Sequence, residues 1–85
     1  MKIPIRCCCD TRLLGHVELP FSLADGCTAV IIGGLRFDYA TYHCNGEVRG
    51  PALKSRDYPE HKLRRIPGFE PATFAERVAD AEAHL

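Results

Sequence analysis

Eighty-five residues make one domain, and a chain this short buries only about 60–65% of the surface its unfolded form exposes, so a metal, a disulfide or a partner often supplies the missing support. Apolar residues are 46% of the chain and charged ones 26%, which excludes a disordered polar tract. Eleven basic and eleven acidic side chains cancel, so no global field draws the chain to nucleic acid or an anionic membrane, and no apolar run approaches the ~20 residues of a membrane span.

Ile3, Ile5, Cys7 and Cys9 alternate with Lys2, Pro4, Arg6 and Cys8, the period of a half-buried strand. The turn CDT leads into a second predicted strand, RLLGHVEL, at residues 12–19. PFSLADG reads as a loop closing on Asp25–Gly26, and CTAVII as a β-branched strand. Gly33–Gly34 turns that strand straight back into LRFDYATYHC. A two-residue turn there sets Cys27 opposite Ala40, with Val30, Ile32, Leu35, Phe37 and Tyr39 on one face as the expected core. Ile31, Arg36, Asp38, Ala40 and Tyr42 share the other face. Asn45–Gly46 is the strongest hairpin signal, because both central residues of a type I′ turn need positive φ. EVRG is its expected return strand, ended by Pro51, and this register sets Arg49 across from Tyr42.

Past Pro51 the pattern changes. PEHKLRR predicts a short helical turn with Pro59 at its first position, and IPGF a linker. The last fifteen residues predict a helix: Pro71 suits its first turn, Thr73 and Glu76 form a capping box, and Phe74, Val78, Ala81 and Leu85 fall on one face. The expected fold is α+β. It has a small antiparallel β-meander of four to five strands (1–53), a basic linker with a short helical turn (54–70), and a C-terminal helix (71–85) packed on the core through Phe74, Val78 and Leu85.

Besides a reactive thiol or a thiol-linked Cu(I) site, the cysteines support two main readings. Free cysteine behaves as a small hydrophobe, and Cys7 and Cys9 continue the Ile3, Ile5 stripe as core residues would. The other reading is one zinc ion held by Cys7 and Cys9 with His43 or Cys44. In a flat strand Cys7 and Cys9 sit roughly 6.6 Å apart, whereas tetrahedral zinc needs its sulfurs ~3.8 Å apart. The pair chelates only if the backbone curls into a knuckle. His43 and Cys44, just ahead of a tight turn, make the better second half-site, because Cys27 lies on the order of 13 Å from Cys44 in the hairpin register. Cys8 points to the opposite face.

The opening IRCCCDTRLL resembles that of the small zinc-finger translational regulators of Mu-like bacteriophages, the Com family. Members hold zinc with two cysteine pairs and bind messenger RNA. The likeness covers the first dozen or so residues, the spacing is one residue short, and a second pair is absent from this sequence. By the resemblance, Cys7 and Cys9 carry over as ligands, and it implies a phage-type origin.

No nucleophile elbow, P-loop, zincin motif or dinucleotide turn is present, and the four histidines are scattered, so a non-enzymatic protein is expected. MKIPIR has no signal-peptide core after it, and five cysteines, an odd number, argue against a disulfide framework. The expected location is cytoplasmic. The expected activity is binding a macromolecule, as an inhibitor or accessory protein would, with neither a membrane nor a small-molecule substrate involved. Arg36, Tyr42 and Arg49 have the composition of a protein-binding hot spot. The alternative is a zinc-dependent RNA- or DNA-binding regulator. Residues 54–65 hold five bases, Lys54, Arg56, Lys62, Arg64 and Arg65, against two acids, and residues 66–85 hold one base against four acids. That basic strip is either a phosphate contact or a solvated face with internal ion pairs.

Overall fold

A computed structural model of the chain describes residues 2–8, 11–19, 28–44 and 47–83. The alternation at the start becomes strand β1 (Lys2–Cys7), with Ile3, Ile5 and Cys7 buried and Lys2, Pro4 and Arg6 on the other face. It turns into β2 (Leu13–Glu18) through a tight loop in which the Cys7 N–H donates to the Arg12 carbonyl at 2.9 Å, and the Thr11 N–H to the Cys7 carbonyl at 3.0 Å. A register shift between Ile5 and Arg6 makes Leu14 the extra residue of β2.

Strands β3 (Ala29–Ile32) and β4 (Leu35–Cys44) are joined by Gly33–Gly34, whose φ values of 57° and 80° fit a type I′ turn. The pairing Val30↔Phe37 and Ile31↔Arg36 is the register expected from the sequence. Strand β5 (Glu47–Ser55) returns along β4 and runs through Pro51, rather than ending there. Proline is tolerated because β5 has only β4 as a partner at that point; its second neighbour begins at Leu53.

That neighbour is β1, and the pairing Ile5↔Leu53, Arg6↔Lys54, Cys7↔Ser55 is parallel. The sheet is therefore mixed, and a short sixth strand, β6 (Phe69–Pro71), pairs with β2. The order is β3-β4-β5-β1-β2-β6. The α+β class with a C-terminal helix is as expected. The parallel joint and β6, which takes up part of the expected linker and of the expected helix's first turn, are additions. The β2–β6 approach is close: a Cβ on Gly15 would collide with the Glu70 carbonyl and lie 2.7 Å from the Phe69 ring.

One face of the sheet is the core, carrying Ile3, Ile5, Val17, Val30, Phe37 and Leu53. Helix α1 (Glu60–Leu63) covers it, with Pro59 as the residue before its first turn, and contributes Leu63; Ile66 follows from the expected linker. Phe37 is fully buried, worth about 1.5–3 kcal/mol, and Tyr58 meets it edge-on at 6.0 Å. β4 outruns β5 at Arg36, and the Tyr58 hydroxyl takes over there. It accepts from the Arg36 N–H at 3.1 Å and donates to the Arg36 carbonyl at 3.2 Å. No described helix is long and apolar enough to cross a membrane.

Candidate functional site

Helix α2 (Phe74–Ala83) begins with the expected capping box. The Thr73 N–H donates to Glu76 Oε1 at 3.0 Å, and the Glu76 N–H to Thr73 Oγ1 at 3.1 Å. Those bonds hold the Glu76 carboxyl below its ordinary pKa, the Thr73 backbone N–H contributing most and its side chain next; His16 and Lys2 add smaller attraction against slight desolvation.

The helix docks by its polar side. Glu76 Oε2 lies 3.7 Å from His16 Nδ1 on β2. Asp80 takes a two-pronged grip from Arg6 on β1, at 2.8 and 3.1 Å, and Arg6 also donates to the Thr11 carbonyl at 3.0 Å. Positions four apart on a helix rise about 6 Å, close to the ~4.8 Å between neighbouring strands, so α2 steps from β2 to β1 as it rises. Arg6 and His16 alternate with buried Ile5 and Val17, which puts α2 on the face away from the core.

This reverses the expected packing. Phe74 is 82% and Val78 40% exposed, Ala81 is exposed too, and α2 has no buried residue. The sequence shows an apolar stripe, and the obvious use of a stripe is the core. The core face is instead closed by Leu63 and Ile66. Leu85 lies outside the described residues.

The remaining candidates are dispersed. Cys7 is a buried residue of β1 and Cys8 is exposed, as the alternation expects; Cys9 lies outside the described residues. Cys7 is beside Ser55, which pairs with Phe37. His43 and Cys44 lie six and seven residues further along β4, about 20 and 23 Å away. Cys9 and the side chains of His43 and Cys44, three of the four expected zinc ligands, lie outside the described residues. No group of three or more metal-ligating side chains occurs among the described residues.

Arg36 is exposed on the face away from the core, 3.6 Å from Asp38 and paired across the ladder with Ile31, itself 74% exposed. The expected Tyr42–Arg49 pair is corrected. Cys44↔Glu47 and His43↔Val48 pair as expected, Asn45–Gly46 themselves lying outside the described residues, but the register then shifts and Tyr42 pairs with Gly50, leaving Arg49 as the extra residue of a bulge. The basic strip also divides. Lys54 stands on the α2 side of the sheet, between Asp38 and Arg6 in the ladder. Lys62, Arg64 and Arg65 are exposed around α1, on the core side, and Arg56 is exposed between the two. Arg64 is bound to Glu60 at 2.9 Å.

A feature the sequence did not show is a cleft of about 270 Å³ beside α2. Cys7, Leu14, Leu63 and Phe69 form its apolar wall, and Arg12, Arg77, Asp57 and Glu60 its charged border. These residues span sequence positions 7 to 77, so no local motif could have announced them. No family model, curated protein or solved structure matches the chain.

Proposed function

We propose that this chain is a non-enzymatic interaction protein, of the inhibitor or accessory kind, whose partner is another protein. The carrying observation is Phe74, a large aromatic side chain 82% exposed on a helix that is capped and ion-paired in place. A helix held by its polar side with its apolar side outward presents anchors ready-made, and buried aromatic and arginine anchors dominate protein interfaces. Val78 extends that surface. On the same side of the sheet, Ile31 and Arg36 offer a second apolar–cationic contact at the opposite edge.

The test places a photocrosslinking residue at position 74 and, as a control, at Lys62 on the opposite side. A single protein captured through position 74 is then purified and its affinity measured. Phe74→Asp is expected to weaken it by about 2 kcal/mol or more and Arg36→Ala by less, while Lys62→Ala and Arg64→Ala bind normally at any ionic strength. Loss of binding in the two basic variants, with affinity falling steeply in salt, would replace the reading with a nucleic-acid contact.

A further inference from the structure

The cleft beside α2 carries a recognition pattern that a protein partner on Phe74 does not use. Two opposite charges stand on its border, Arg77 from α2 and Asp57 from the segment after β5. Among the described residues neither side chain makes a hydrogen bond or ion pair, with the other or with anything else. Glu60, on the same border, is already held by Arg64. An unmatched cation and an unmatched anion facing one cavity, too far apart to bridge, leave a gap that a molecule bearing both charges would fill. Apolar side chains line the same cleft: Leu14 and Phe69 are half-buried, and Leu63 belongs to the core.

We propose that this cleft binds a free α-amino acid with an apolar side chain. The carboxylate lies against Arg77, whose planar fork matches it with two parallel hydrogen bonds. The ammonium lies against Asp57, and the side chain packs on Leu14, Leu63 and Phe69. A volume of about 270 Å³ sits just under the ~300–1,000 Å³ of drug-sized pockets and suits a small metabolite. The ligand is bound unchanged.

The test is an NMR titration of the ¹⁵N-labelled chain with L-leucine, leucinamide, which lacks the carboxylate, and N-acetylleucine, which lacks the ammonium. Leucine is expected to shift cleft amides saturably at millimolar concentration, and each derivative to bind about tenfold more weakly, the worth of one charge-assisted contact. Arg77→Gln should make leucine and leucinamide bind alike, and Asp57→Asn should do the same for leucine and N-acetylleucine. Both residues are exposed, so neither change threatens the fold. Absence of saturable leucine binding overturns the proposal. So does equal binding of either derivative by the unaltered chain, which would mean that only a peptide terminus is read. Phe74→Asp should leave the leucine titration unchanged, so this proposal and the partner-binding one fail separately.

Discussion

Replacing Asp80 with alanine should release α2 without unfolding the sheet. Ten residues make a helix that is marginal alone in water, and none of them is buried. Its hold on the domain rests on Asp80 and Glu76. The Arg6–Asp80 pair is the stronger contact, with two hydrogen bonds at 2.8 and 3.1 Å between side chains only 12% and 17% exposed. A hydrogen bond to a charged group contributes ~1.5–3 kcal/mol, and breaking a fully buried pair costs ~3–5 kcal/mol. For this mostly buried pair, with the Thr11 carbonyl still available to Arg6, about 2–3 kcal/mol is the reasonable figure. Amide exchange reads it directly: protection across 74–83 should fall by roughly 30- to 160-fold, while Ile5, Val17, Phe37 and Leu53 keep theirs. A double-mutant cycle with Arg6→Ala should return a coupling of similar size. Unchanged protection at 74–83 would refute the reasoning. So would an equal loss throughout the sheet, because α2 would then be integral to the core.

Gly15→Ala should destabilise the whole domain by at least ~2 kcal/mol, read as a fall of roughly 8–16 °C in Tm. The new methyl group meets the Glu70 carbonyl and the Phe69 ring, so β6 has to leave β2; an unchanged Tm would mean β6 is not docked. Acidification should loosen the start of α2. The folded-state pKa of Glu76 is lowered, so the unfolded chain takes up the proton first. The stabilisation is whole at neutral pH and is lost as pH falls through the folded value, below the ordinary glutamate range. Exchange at Thr73 and Glu76 followed into the acid range should show that loss, and Glu76→Gln should flatten it.

Local signals were legible where the physics is local. The alternation of Ile3, Ile5 and Cys7, the Gly33–Gly34 turn with its register, the Pro59 turn and the Thr73–Glu76 box each depend on residues a few positions apart. Non-local events left no such trace. Nothing near Ile5 says that Leu53 will lie beside it in parallel, and nothing near Arg6 names Asp80 as its partner, 74 positions away. The α2 stripe misled for the same reason. Amphipathicity says that one side differs from the other, but which side meets the sheet was decided by two charges and by the prior claim of Leu63 and Ile66 on the core. Among the candidate sites, Arg36 is exposed as expected, while the Tyr42–Arg49 opposition failed by one bulged residue that no turn rule anticipates.

The parallel joint also has a consequence in time. β1 leaves a ribosome before the other five described strands, yet it finishes fourth of the six in the sheet. Its inner edge waits for Leu53, Lys54 and Ser55, each 48 residues later than its partner, or roughly 2–10 s at ~5–20 residues per second. During that interval the nascent hairpin exposes the edge of an Ile-Pro-Ile strand to every other chain nearby. Pro4 withholds a backbone donor there, and Lys2 and Arg6 place charge at both ends of the apolar core, the devices that keep open edges from pairing with strangers. Arg6 thus serves the chain twice, guarding an edge before the sheet is complete and holding a helix after it.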